Sequence, residues 1–455
     1  MDLWTLSATQ AASGIRNGEF SSQDLVSACL QRIDELEPTV GAWAYLDPEH
    51  ALRLARGADE SRAEGAGLGP LHGVPVGVKD IFDTRDMPTE CGTPLFAGRQ
   101  PNVDAQAVSL LREAGAIVIG KTVTTEVASY APGKTANPND PTRTPGGSSS
   151  GSAAAVAARM VPLAIGSQTN GSVIRPGSYC GVYGYKPTFG AMSRRGVLAQ
   201  SRPLDTLGVF ARTVEDLALI AEPLMAYDES DPDMTLKARP HLCSVVSAAP
   251  PVDPHLGFVK SPVWDQASDD CREAFAELAE FLGEGCDEVA LPAPFDDAVR
   301  WHRTVMCADF AKSFANLYET GKQRLSDVLC GMIEEGRSCL AVDYNRAVDM
   351  ADVLNAGLDQ VLEGYDAVIT PATTGEAPVG LESTGSPIFC TLWTFIGVPA
   401  ITLPLLTGRD GMPIGVQLVG RRNDDARLLR TARWLAEKVA NAAYEPGPRG
   451  EAAKK

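Results

Sequence analysis

The sequence predicts an α/β protein. Apolar runs of strand length alternate with helical patterns along its first part, and the same alternation returns near its end. No internal repeat and no clean linker interrupts the 455 residues, so one large domain is expected over 1–455. Within residues 22–36, Leu25, Cys29, Ile33 and Leu36 fall at helical spacing and predict an amphipathic helix. Residues 74–78 form a short apolar run ending at Lys79 and Asp80, as a buried strand would. Residues 108–114 read as a helix that Gly115 stops, and 117–119 as the next strand. Strands are expected again at 367–370, 400–403 and 414–419, followed by a helix from about 424 to 439. Residues 228–340 are the least patterned and are expected to be a helical region covering the active site. The tail 445–455 is rich in Pro, Gly and charge, and is expected to fray.

Composition narrows the function. The formal charge of −18 argues against nucleic acid as a main partner, because phosphate binding needs clustered Lys and Arg. No basic segment with an apolar core opens the chain, and no apolar run is long enough to span a bilayer. Ten scattered cysteines without a C-x-x-C pair fit free thiols in a cytoplasmic protein. The five histidines form no metal-ligand spacing, so no metal and no cofactor are expected.

The stretch TPGGSSSGSAAAVAARMVPLAIGSQTNGSVIRPG, residues 144–177, sets Gly and Ser directly against apolar segments. A flexible linker would not sit between segments that favour burial. A phosphate loop is excluded, since no Lys follows Gly151. Gly147, Ser149 and Gly151 match G-x-S-x-G, the nucleophile turn of α/β hydrolases, although a Gly/Ser run gives that match easily. That reading makes Ser149 the nucleophile of an esterase and needs a histidine from His241, His255 or His302.

A longer set of motifs resembles the amidase signature family. It comprises GVPVGVKD at 73–80, GGSSSGSAAAVA at 146–157, PLAIG at 162–166, TNGS at 169–172, CGVYGYKPT at 180–188, LDTLG at 204–208 and ARTVED at 211–216. The similarity is strong over about 70–220 and looser at the ends. It implies a single α/β/α domain with a mixed, mostly parallel central sheet flanked by helices. It implies Ser172 as nucleophile, Ser148 after a cis peptide as proton relay, and Lys79 as base. Backbone N–H groups of Thr169, Asn170, Gly171 and Ser172 would form the oxyanion hole. The chemistry fits these residues: a serine hydroxyl needs a base, and a lysine can serve if burial keeps it neutral.

Two departures bear on substrate. Gln168 stands where the family usually has an acidic residue, and Asn170 replaces a usual glycine. Asn tolerates left-handed backbone, so the turn can survive, with the side chain narrowing the pocket or adding a donor. Arg175 lies three residues past Ser172, as in the malonamidase-like branch, which 86–90 and 383–385 also resemble. There the arginine meets a substrate carboxylate; the alternative is an arginine tying down local carbonyls. Arg175, Tyr130, Gln168, Asn170 and Trp393 are the candidate substrate-binding residues, with Met306, Phe310, Leu392 and Phe395 as further candidate walls.

The resemblance implies an amidohydrolase, monomeric or homodimeric, acting on small amides or anilides, with esters and carbamates (urethanes) as related substrates. The alternatives are the amidase subunit of a tRNA amidotransferase, against which the negative charge and Gln168 speak, and the Ser149 esterase. A non-catalytic binding relative fits poorly, because Lys79, Ser148 and Ser172 are all present.

Overall fold

The computed structural model describes residues 2–444, so the tail at 445–455 lies outside the described residues. Eleven strands among the described residues form one sheet. They are β1 (Trp43–Leu46), β2 (Pro75–Lys79), β3 (Ile117–Thr122), β4 (Leu163–Gln168), β5 (Tyr183–Lys186), β6 (Thr206–Ala211), β7 (Leu256–Val259), β8 (Cys286–Val289), β9 (Ala367–Pro371), β10 (Ala400–Thr407) and β11 (Pro413–Val419). Their order is β1-β3-β2-β4-β6-β5-β10-β11-β9-β7-β8.

The sheet is mixed, as expected, but it is not mostly parallel. Parallel pairing is confined to two blocks, β3-β2-β4 and β9-β7-β8. Between and outside them the neighbours run antiparallel. The cause is in the connections. A helix, Gln106–Glu113, crosses over from β2 to β3 and returns the chain parallel, whereas only five residues join β10 to β11 and force a hairpin.

The sequence-predicted elements all form. The helix expected at 22–36 is Ser22–Val40, opened by a capping box between Ser21 and Asp24. The helix expected from about 424 runs Asp425–Tyr444. Residues 228–340 depart from expectation. They hold the helices Asp269–Leu282, Ala298–Ser313 and Asp327–Arg337, but also β7 and β8, which build one edge of the sheet. Only part of this region covers the site.

The Gly/Ser stretch resolves into core. Ser150–Ala157 is a helix, buried up to its last residue, packed under β2, β3 and β4. Its serines satisfy their hydroxyls locally: Ser150 Oγ donates to Gly146 O at 2.8 Å, and Ser152 Oγ to Ile165 O at 2.9 Å. Gly151 permits the approach, because a Cβ there would lie 2.2 Å from Ala42 O and 2.4 Å from Val123 N. Small residues are what a helix needs to lie this close to a strand.

Gly151→Ala is therefore expected to cost about 1–3 kcal/mol or more by overpacking. Gly57→Ala is the contrast. It lies exposed within the helix Pro48–Ala63 with nothing within 4 Å of a new Cβ, so it should gain about 0.5–1 kcal/mol. Chemical denaturation of both variants checks the pair.

Candidate active site

The three candidate catalytic residues converge at the C-terminal ends of neighbouring parallel strands. Lys79 is the last residue of β2. Ser172 follows the end of its neighbour β4 and precedes the helix Ile174–Cys180. Ser148 precedes the helix Ser150–Ala157, and the Gly147–Ser148 peptide is cis, as the resemblance implies. Such carboxyl ends are where open α/β sheets leave room for ligands.

Lys79 is fully buried, and its Nζ donates to Ser148 Oγ at 2.8 Å and to Ser167 Oγ at 2.9 Å. No carboxylate pairs with it among the described residues. Burial pushes its pKa well down, with the charge of Asp205 acting in the opposite sense. The two serine loops are tied together: Ser149 N–H donates to Ser172 O at 3.4 Å. Among the described residues no hydrogen bond joins Ser148 Oγ to Ser172 Oγ, so the relay is not closed in this structure.

The turn after β4 is built from polar contacts. The N–H groups of Asn170, Gly171 and Ser172 have no hydrogen-bond acceptor among the described residues. Those of Val173 and Ile174 donate to Gln168 Oε1 at 2.8 and 3.0 Å. Unpaired donors at 170–172 are what an oxyanion hole requires. The Thr169 N–H likewise has no acceptor among the described residues; its carbonyl lies 2.9 Å from His302 Nε2, and its hydroxyl meets Gln200 Oε1 at 2.7 Å and Asp205 Oδ1 at 2.6 Å. Gly171 is required by packing, since a Cβ would lie 2.9 Å from Pro387 Cβ.

The structure corrects several assignments. Arg175 is 0% exposed and gives its guanidinium to carbonyls, Nε and Nη2 to Gly147 O at 3.2 and 2.7 Å and Nη1 to Gly385 O. It holds the carbonyl of the cis peptide and leaves no fork for a substrate carboxylate. Gln168 is likewise engaged within the protein. Its amide caps the following helix and donates from Nε2 to Thr394 Oγ1 at 2.8 Å. Trp393 is 0% exposed in the core, alongside Met306, Phe310, Leu392 and Phe395, because its helix, Ile388–Phe395, packs inward. Asn170 does not take left-handed backbone. Its side chain is braced instead, donating from Nδ2 to Tyr130 OH at 2.8 Å and accepting at Oδ1 from Thr391 Oγ1 at 2.8 Å. Tyr130 is half-buried, and its hydroxyl also donates to Met306 Sδ at 3.8 Å.

The Ser149 alternative fails on geometry. Ser149 is 0% exposed, and its hydroxyl donates to Ser167 O at 3.2 Å and accepts from Ser167 N at 3.3 Å. None of His241, His255 or His302 hydrogen-bonds to it. His302 is buried, with its pKa pushed down to about 4, and supports Thr169.

Sequence reasoning missed Ser167 and Gln200, considered His302 only as a partner for Ser149, and assigned Asp205 no role although LDTLG contains it. Ser167, Thr169, Gln200 and Asp205 line one cavity of about 280 Å³ with Leu207 and, at its rim, Arg194.

Comparison with known proteins agrees with this architecture. The Amidase family model matches residues 24–429, and the chain belongs to the amidase signature family. A glutamyl-tRNA(Gln) amidotransferase subunit of Chloroflexus aurantiacus is 32% identical, covering 94% of this chain and 96% of that protein. The corresponding subunit of Salinispora arenicola is also 32% identical, covering 96% and 98%. Among solved structures, native peptide amidase from Stenotrophomonas maltophilia superposes with a TM-score of 0.84 at 28% identity, covering 95% of this chain and 97% of that one. A structure of a vestigial protein complex, described as revealing the origins of an s-triazine catabolic enzyme, gives 0.89 at 29% identity, covering 96% and 99%. No helix among the described residues is long and apolar enough to cross a membrane.

The buried lysine sets a pH test of stability. A lysine whose folded pKa lies below its unfolded value opposes folding at neutral pH, and that cost vanishes as pH rises through the unfolded value, near 10.5. The stability of Lys79→Met relative to wild type should therefore fall as pH rises toward 10.5. Thermal unfolding across that range measures it.

Proposed function

We propose that this protein is an amidohydrolase that cleaves small amides through an acyl-enzyme on Ser172. The observation that carries the reading is the fully buried Lys79, hydrogen-bonded to Ser148 at the cis turn and, among the described residues, to no carboxylate. Burial disfavours the ammonium, so the amine can be neutral and accept a proton. With the amine neutral, the 2.8 Å contact can run from the Ser148 hydroxyl to the Nζ lone pair. Ser172 Oγ attacks the amide carbonyl as its proton passes to Ser148 Oγ and the Ser148 proton passes to Nζ. The N–H groups at 170–172 receive the oxyanion. The C–N bond then breaks, the proton returns through Ser148 to the leaving nitrogen, and water cleaves the ester in the same way. Anilides, esters and urethanes are substrates of the same acyl chemistry.

A second reading has its own support. The curated amidotransferase subunits match over nearly the whole chain at about a third identity. An amidase subunit of this kind would release ammonia from an amide and act together with partner subunits. Hydrolysis of small amides by the isolated chain, faster than its hydrolysis of glutamine, favours the first reading; the reverse order favours the second.

Ser172→Ala and Lys79→Ala are each expected to lower kcat/KM by about 10³-fold or more while the chain stays folded. Folded Ser172→Ala protein at near-wild-type rates would end this mechanism. Activity should rise toward alkaline pH, because the neutral form of Lys79 is required. With Arg175 committed to carbonyls, a neutral aryl amide should be hydrolysed faster than its analogue carrying a free carboxylate. A kcat/KM comparison on the matched pair checks this.

A further inference from the structure

We propose that Asp205 sets the strength of Lys79 as a base, acting as a positioning residue from the Thr169 end of β4. This rests on the reading of Lys79 as the base. The geometry begins with strand pairing. β4 and β6 are antiparallel with Gln168 opposite Thr206, which places Asp205 opposite Thr169. Ser167 and Thr169 lie two residues apart, a spacing of about 7 Å, and line the same cavity as Asp205. Lys79 Nζ holds Ser167, and Asp205 holds Thr169 at 2.6 Å. The two ionisable groups are therefore each one hydrogen bond from neighbouring same-face positions at the end of β4.

Neither group has a contact partner of opposite charge among the described residues. The Asp205 carboxylate accepts from Thr169 Oγ1, Gln200 N at 2.8 Å and Ser201 N at 3.0 Å. These donors stabilise a carboxylate without adding a positive charge. Arg194 touches Asp205 only at its backbone oxygen, at 3.5 Å; its charge lowers the Asp205 pKa and is shared with Asp231 and Asp233. The remaining neighbours compete weakly. Asp309 sits on Ser201 through its hydroxyl, with its pKa raised by burial; His302, on Thr169, stays neutral with its pKa near 4; and Cys91 stays a thiol with its pKa near 12. The field of Asp205 thus falls on Lys79 without a neutralising ion pair between them.

Burial pushes the Asp205 carboxyl up to about 6, so it is charged above that pH. Desolvation alone weakens Lys79 as a base, and catalytic basicity is lost as a base's pKa falls far below the working pH. A charged Asp205 raises the affinity of Lys79 for a proton and offsets that loss.

The test is the pH profile of kcat/KM on a p-nitroanilide from pH 5 to 10 for wild type, Asp205→Asn, Asp205→Ala and Lys79→Ala. Both Asp205 variants should move the rising limb to lower pH by about one unit and lower its alkaline plateau. An unmoved or raised midpoint in folded protein overturns the proposal, because a merely structural role would lower the rate without moving the midpoint. Persistent activity in Lys79→Ala would overturn the base assignment itself, which separates the two failures. If both Asp205 variants unfold, wild-type protein carries the test. The 13C titration of the Lys79 side chain, assigned by its loss in Lys79→Ala, should show a second step shared with Asp205; a single step overturns the proposal.

Discussion

The site depends on one lysine held in the protein interior with two serine hydroxyls as its hydrogen-bond partners among the described residues. Lys79 ends a buried strand, and its amine touches Ser148 and Ser167 but, among the described residues, no carboxylate. A contact ion pair would fix the ammonium and remove the base. The surrounding structure keeps that from happening. The nearby pair of Lys121 and Asp80 is closed on itself at 3.2 Å, and Lys121 also donates to Phe82 O and Thr89 Oγ1. Asp205 stays at a distance and acts only through its field.

The turns around Lys79 are held by polar groups that take no part in the reaction. Arg175 secures the carbonyl before Ser148 and reaches the loop at Gly385. Gln168 takes the first N–H groups of the helix after Ser172, leaving those at 170–172 unpaired. Asn170 links Tyr130 to Thr391 and so ties the turn to the helix Ile388–Phe395. An arginine, a glutamine and an asparagine thus act as scaffold in a place where substrate recognition is the easy assumption.

The fold class and the reacting residues were legible in the sequence because both rest on local signals. The apolar run ending at Lys79 marks a strand terminus, and the Ser148 and Ser172 segments carry dense, ordered motifs. Strand direction was not legible. It follows from which connections cross over the sheet, and the stretch 187–205 between β5 and β6 held no sign that the two strands are antiparallel neighbours. The carbonyl-binding role of Arg175 was one of two readings the sequence allowed, but its partner at Gly385 was not; the roles of Gln168 and Trp393 were hidden, because they are set by a distant helix residue, Thr394, and by burial. Asp205 stood within a recognised motif, but its relation to Lys79 passes through Ser167 and Thr169 and exists only once β4 and β6 pair.

The central claim is that Ser172 carries the acyl group. Mass spectrometry of the protein quenched during turnover of an activated aryl ester tests it directly, with the modified peptide sequenced. An added acyl mass is expected on the peptide containing Ser172 and absent from Ser172→Ala protein. An acyl group on Ser149, or turnover without any acylated serine, would contradict it.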